Sequence, residues 1–246
     1  LHSARAAGTI RLPHGSARFS ACIPVGRNLL VMDLDLAGDA RLACTPRLAC
    51  RPCWSETLPE SESDTLKRWG YPPAITGHEG SQSWHLQGIP GNGAYCVLWD
   101  LREPSTHRVQ LIVVITHCPS SDPLAAAREE LAEALELGVE GVRREHRAWW
   151  RRFWAASSVQ VPDARLESLY HAGLYQLACN AAGRLPPTAQ GIWTPDGELA
   201  SAGVPDYHLD LNVEESYWPV YTANHLELAG PLYETFHALL PRFTRF

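Results

Sequence analysis

No stretch of this sequence approaches the roughly 18 consecutive apolar residues of a membrane-spanning helix. The best candidate, Val109 to Val114, has the length of a strand. A membrane is therefore not an expected partner. Nor is there a block of Lys and Arg: 21 basic residues are scattered against 27 acidic ones, for a formal net charge of −6. Without a positive stripe to neutralise phosphates, nucleic acid is not an expected partner either. The chain opens at Leu1 with no basic segment leading into an apolar one. Its start therefore reads as a cut rather than a signal peptide, and the compartment stays open.

Other absences exclude chemistries. There is no Gly-x-Ser-x-Gly elbow, no phosphate-binding loop and no His-Glu-x-x-His helix, which removes the usual frames for serine hydrolases, nucleotide hydrolases and zinc proteases. No period of 20 to 50 residues recurs, so a closed repeat array is not indicated. Seven cysteines, Cys22, Cys44, Cys50, Cys53, Cys96, Cys118 and Cys179, form an odd and dispersed set, unlike a disulfide scaffold. Free thiols are the simpler reading. Cys50 and Cys53 have the spacing of half a zinc site or a redox pair, but no second half follows, so no metal site is assigned.

What is present suits a folded protein, with 45% hydrophobic and 20% charged residues. Up to about residue 120 the apolar residues alternate, as in Asn28 to Leu36, Tyr95 to Leu101 and Arg108 to Thr116. Turn-rich stretches such as Gly88-Ile-Pro-Gly-Asn-Gly93 separate them. This pattern predicts antiparallel strands arranged as a β-sandwich over 1–120. The segment Glu56 to Asp64, dense in Ser, Glu and Pro, reads as a solvated loop.

The character changes at Asp122-Pro123, an N-cap followed by a proline at the first helical position, and Gly138 supplies a stop. A second helix is expected over Val139 to Ala156, carrying Trp149, Trp150, Phe153 and Trp154. Those aromatics suit either packing or a ligand platform, with packing favoured. Together these helices form an expected linker over 121–160. A third helix follows Pro162-Asp163 with apolar or small residues at Leu166, Leu169, Tyr170, Gly173, Leu174, Leu177 and Ala178, an i, i+3, i+4, i+7 stripe. After a loop over about 183–207, helix is expected again from about Glu214, through Leu226 to Gly230 and on over Pro231 to Leu240.

The segment Asp206-Tyr-His-Leu-Asp-Leu-Asn-Val-Glu-Glu-Ser-Tyr-Trp-Pro219 is the most informative. His208, Asp210, Asn212 and Glu214 alternate with Leu209, Leu211 and Val213, so an extended backbone puts the polar groups on one face and the aliphatics on the other. An imidazole, two carboxylates and a carboxamide offer the donors and acceptors that hydroxyl-rich sugars require. Trp193, Tyr217 and Trp218 add rings for the C–H faces of pyranoses. A half-exposed edge strand with solvated polar residues fits the same pattern. At a helix start, Glu214 and Glu215 would instead suit the N-terminal dipole. Asn224 and His225 are either packed or behind the ligand shell, and Arg102, Glu103 and His107 read as a solvated turn.

Gln190-Gly-Ile-Trp193, the segment 206–219 and Thr222-Ala-Asn-His-Leu-Glu227 together resemble the start of the catalytic domain of glycoside hydrolase family 95. The resemblance covers about 140–240 and is only architectural before 120. It implies a mixed α and β chain: an N-terminal antiparallel β-sandwich (partial), a helical linker, and over 161–246 the first helices of an incomplete (α/α)6 barrel. The implied activity is inverting exo-α-L-fucosidase-like hydrolysis of terminal α-L-fucosyl or related residues of oligosaccharides, with no cofactor. By position Asn212 inherits the handling of the attacking water, and His208 and Asp210 the sugar contacts. Asp210 stands where the family has Asn, which would let it share the base function; Ala200 to Gly203 lacks a tryptophan found in related sequences.

Inversion places an acid and a base on opposite faces of the sugar, about 6.5 to 9.5 Å apart. Side chains two apart on a strand lie side by side, so His208, Asp210 and Asn212 form one wall only. The resemblance puts the acid, a Glu, and the activating Asp far downstream. Twelve helices of about 12 residues each need well over about 250 residues with loops, against about 85 after residue 160. The expectation is a chain inactive by itself, with the remainder of the barrel covering the exposed helices. Another (α/α)6 sugar enzyme such as a disaccharide phosphorylase, or a non-catalytic carbohydrate-binding protein, are the alternatives.

Overall fold

The computed structural model describes residues 3–38, 67–188 and 207–243. The Cys50/Cys53 pair, the Glu56 to Asp64 loop, Gln190 to Trp193 and Ala200 to Gly203 lie outside the described residues. The chain divides into two compact units, one of Ala4–His146 and one containing Arg147–Phe246.

Seven strands build the first unit: β1 (Arg5–Leu12), β2 (Gly15–Cys22), β3 (Leu29–Gly38), β4 (Ile75–Glu79), β5 (Gln82–Gly88), β6 (Ala94–Ser105) and β7 (Arg108–Cys118). They pair in the order β1-β2-β3-β7-β6-β5-β4, each pair antiparallel. Gly93 (φ +72°) closes the turn into β6, and a Cβ there would run into the carbonyl of Cys118, so the position is restricted to glycine. The described strands form one antiparallel sheet, as the alternation predicts for this part of the chain, and the layer over its larger buried face is helical. The reason lies in β3. Val31 packs with Ile112, Val114, Leu98 and the helix residues Ala127, Leu131 and Val142. Leu34 and Leu36, of the opposite parity, gather with Ala17 and Val109 in a smaller cluster. Period-2 alternation says that a face is buried but not what buries it.

Helix α1 (Pro123–Leu137) supplies most of that cover through Pro123, Ala127, Leu131 and Ala134, spaced to form one stripe. Its start is as the sequence predicts: Asp122 Oδ1 accepts the amide of Leu124 at 2.9 Å and Pro123 needs no donor. Its end is too, with Gly138 at φ 70° sending its N–H to the Leu135 carbonyl. Helix α2 (Val139–Ala156) follows at once, so the segment expected as a linker is shared between the two units.

Two ionic clasps tie helix to sheet within the first unit. Arg27 reaches Glu133 at 3.5 Å and Glu145 at 3.3 Å; these pairs are open to solvent and worth at most about 1 kcal/mol each. The other is buried. Asp33, 3% exposed, accepts from Gln110 Nε2 at 3.0 Å and pairs with Arg108 and Arg143. Burial pushes its carboxyl up, but the hydrogen bonds from Gln110 and Arg108 and the charges of Arg143 and Arg108 outweigh it and hold the group below 3.8.

In the second unit, α3 (Ala164–Ala181) is capped by Asp163, whose Oδ1 accepts from the amide of Arg165 at 2.8 Å. Helix α4 (Asn212–Thr222), a 3₁₀ turn (Leu226–Ala229) and α5 (Gly230–Phe243) complete the described elements. The aromatics of α2 are a packing centre. Trp150 and Phe153 are 2% and 3% exposed, Trp150 packs on Tyr175 of α3 at 5.3 Å, and Phe153 stacks on His225 at 4.0 Å. Among the described residues no disulfide joins Cys22, Cys96, Cys118 or Cys179 to another. Burial pushes the Cys179 thiol up, so it stays protonated and a poor nucleophile. No helix among the described residues is long and apolar enough to cross a membrane.

Candidate active site

The polar row from His208 to Glu214 is not extended. Residues 209–211 form a turn, and α4 begins at Asn212. The amide of Val213 donates to the His208 carbonyl at 3.1 Å and that of Glu215 to the Leu211 carbonyl at 2.9 Å, which winds the segment into the helix. Consequently the single polar face predicted for four alternating residues does not form. Leu209 and Leu211 are 46% and 50% exposed and anchor nothing, while Val213 is 2% exposed. Helical spacing explains this: Val213, Tyr217 and Val220 are the buried residues of α4, at i, i+4 and i+7. Glu214 and Glu215 lie in the first turn, where negative charge suits the helix dipole.

The rest of α4 sorts by the same period. Glu215, Ser216, Pro219, Thr222 and Ala223 line an open groove of about 800 Å³ whose opposite wall is α3, including Leu166, Leu169 and Gly173. Asn212 belongs to that groove stripe by spacing, at i to the i+3, i+4 and i+7 of Glu215, Ser216 and Pro219, and its carbonyl accepts the Ser216 hydroxyl at 2.8 Å. Its side chain is exposed at the head of the groove face. Asp210 is exposed in the turn before it, and His208 is half-buried.

Glu214 and Trp218 sit on the outer side of α4, Trp218 at 58% exposure. Tyr217 is 1% exposed and on the core side, so it packs rather than presents a ring to solvent. Burial raises its phenol well above 10.0, helped by Tyr207 and Tyr221. Trp193 lies outside the described residues. The carboxylate facing the groove is Glu215, not Glu214. The spacing Asn212, Glu215, Ser216, Pro219 carries that signal once the segment is read as helix rather than strand.

Asn224 and His225 prove to be packing residues. Asn224 takes a left-handed conformation (φ 57°), and its Nδ2 donates to the Ala156 carbonyl at 3.1 Å. His225, fully buried, sits between Ser157 Oγ and Glu227 Oε1, each at 3.2 Å, and Ser157 in turn accepts from the Tyr170 hydroxyl at 3.3 Å. This chain of hydrogen bonds fastens the 3₁₀ turn to the end of α2 and to α3. Arg102, Glu103 and His107 are exposed at the β6–β7 hairpin, with Arg102 paired to Asp100. Among the described residues no group of His, Cys, Asp and Glu side chains is placed to hold a metal ion.

Residues 125–245 match the family described as the glycosyl hydrolase family 95 catalytic domain, and that stretch of the chain belongs to this family. No curated protein shows a significant sequence match. Among solved structures, the chain is similar to a family GH92 α-mannosidase from Bacteroides thetaiotaomicron, at 10% identity and TM-score 0.32, covering 71% of this chain and 25% of that one. The same enzyme with mannoimidazole bound gives the same identity and TM-score, with 24% of that chain covered. The chain thus spans about a quarter of the length of these structures.

Proposed function

We propose that the protein to which this chain belongs is an inverting exo-glycosidase that removes a terminal α-L-fucosyl or related residue from oligosaccharides. In this reading 161–246 opens the catalytic barrel and 1–120 belongs to an accessory β domain. The observation that supports it best is the family match over 125–245, which takes in the whole His208 to Trp218 motif.

In this reading Asn212 holds the attacking water at the head of the α4 groove face, with its amide oxygen accepting a hydrogen bond from that water. His208 and Asp210 hydrogen-bond sugar hydroxyls, and Asp210 sits close enough in sequence to share the proton that water releases. The ring assigned to the C–H face of the sugar is Trp193, since Trp218 stands on the outer side of α4. Three groups within five residues occupy one side of the reacting carbon. The acid that protonates the leaving oxygen must stand on the other side, at about 6.5 to 9.5 Å from the base. We assign it to the remainder of the barrel, which would also cover Leu166 and Leu169, exposed at 59% and 69%.

The test is the first-formed product of an aryl α-L-fucoside, followed by NMR with the protein carrying its complete catalytic domain. The β-anomer appearing first supports the proposal. Strict dependence on phosphate would select a phosphorylase instead, and sugar binding with no turnover of any aryl fucoside or galactoside would select a binding protein.

A further inference from the structure

On the first unit, the register of four strands builds a polar cleft. Thr9 of β1 pairs with Arg18 of β2, Arg18 with Asp35 of β3, and Asp35 with Arg108 of β7. One level along, Ala7 pairs with Ser20, Ser20 with Asp33, and Asp33 with Gln110. Residues directly opposite in a pleated sheet project to the same face, so both rows look out on one side. Arg143 of α2 forms the wall above them. The small side chains of Ala7 and Ser20 keep part of the floor low, leaving an open cleft of about 530 Å³.

The charges do not cancel. Four arginines, Arg5, Arg18, Arg108 and Arg143, face two aspartates, in a chain whose formal charge is −6. Asp33 is already consumed, enclosed by Arg108, Arg143 and Gln110. Asp35 is 62% exposed and has one distant partner, Arg108 Nε at 3.8 Å. Arg5 and Arg18 are exposed and, among the described residues, have no ion pair. Two guanidiniums therefore border a monosaccharide-sized hollow with their donors unspent, beside the hydroxyls of Thr9 and Ser20.

We propose that this cleft binds an oxyanion carried by a monosaccharide-sized ligand, a carboxylated or sulfated sugar, with Arg5 and Arg18 as the charged donors and Thr9 and Ser20 contacting hydroxyls. A guanidinium presents its N–H groups in a fork that matches either a planar carboxylate or a tetrahedral sulfate. The site lies wholly within the sheet unit, so it stands or falls independently of the glycosidase reading.

Isothermal titration of the 246-residue chain with glucuronate, galactose 6-sulfate, glucose and inorganic sulfate tests it. At least one of the two anionic sugars is expected to bind, more weakly as sodium chloride rises, and glucose is not. Which of them binds tells carboxylate from sulfate. Arg18→Gln and Arg5→Gln are each expected to weaken binding by about tenfold, the effect of one charge-assisted hydrogen bond. Asp35→Asn, which removes a repelling carboxylate, is expected to tighten it. All three positions are exposed, and unchanged thermal melts would show that the variants fold. Absence of binding by both anionic sugars at millimolar concentration, equal binding of glucose, or indifference to both arginine changes would overturn the site. Inorganic sulfate binding as tightly as the sugar sulfate would overturn its assignment to a saccharide.

Discussion

The imidazole of His225 lies flat on the ring of Phe153, with centroids 4.0 Å apart and planes inclined by 15°. Both side chains are buried, and His225 also bridges Ser157 and Glu227. The stack joins the last turns of α2 to the 3₁₀ turn, so it holds together segments some seventy residues apart. Replacing Phe153 with Ala removes the ring and leaves a cavity that the flanking Trp150 and Trp154 cannot fill. The expected cost is about 3 to 5 kcal/mol, read from urea unfolding of the full chain. A loss below about 1 kcal/mol would mean that the aromatic cluster is not the packing centre of this unit.

Asp122→Ala should cost about 1 kcal/mol, because the Leu124 amide loses its acceptor at the start of α1. That helix was readable residue by residue, since cap, proline and C-terminal glycine are local signals that tertiary packing had no reason to override. The same holds for α2 and α3 and for the strands β3, β6 and β7. Legibility failed at His208 to Glu214, where a period of two and a period of 3.6 overlap over too few residues to be told apart. Four polar and three aliphatic residues in alternation read as a strand. Burial of Val213, Tyr217 and Val220 along one stripe settled the segment as a turn and helix instead. Only by extending the window past Pro219 does the helical stripe become visible. The helical cover of the sheet by α1 was illegible for a different reason: the partner of a buried face is a long-range fact, absent from the local pattern.

The buried carboxylate of Asp33 predicts a pH dependence. Its native pKa lies below the unfolded value, so its contribution is fully present above the unfolded pKa of about 3.9 and is lost as pH falls through the native value. Asp33→Ala leaves Arg108 and Arg143 without their shared partner and should cost about 3 to 5 kcal/mol at pH 7. The stability gap between wild type and variant should narrow as pH is lowered through the acid range, measured by denaturation at pH 7, 5 and 3. A gap independent of pH would show that the carboxylate charge does not hold the clasp.

For the proposed hydrolase, Asn212→Ala is expected to lower kcat by about 10²- to 10⁴-fold, the range for a group that positions or deprotonates the nucleophile. Asn212 is exposed, so melting behaviour should stay within about 0.5 kcal/mol of wild type. Asp210→Asn, which restores the residue implied by the family resemblance, should retain turnover if Asp210 only contacts the sugar. A loss comparable with that of Asn212→Ala would assign Asp210 to the base.

Tyr217 sets up the sharpest test of the core beneath that site. Its hydroxyl is buried and, among the described residues, has no hydrogen-bond partner. Removing an unsatisfied buried hydroxyl relieves its desolvation cost without opening a large cavity, so Tyr217→Phe is expected to be neutral or to stabilise the chain by about 1 kcal/mol at pH 7. Above pH 10 the difference should grow. Burial holds the native phenol protonated while the unfolded tyrosine ionises near its ordinary value of 10.0, so the unfolded state gains a charge that the native state refuses. Wild-type stability therefore falls as pH rises from about 10 towards the raised native value, and the phenylalanine variant lacks that one contribution. The other tyrosines cancel in the comparison. Unfolding of both proteins at pH 7 and pH 11 measures the gap, and a variant destabilised at pH 7 by more than about 1 kcal/mol would mean that the hydroxyl is satisfied after all.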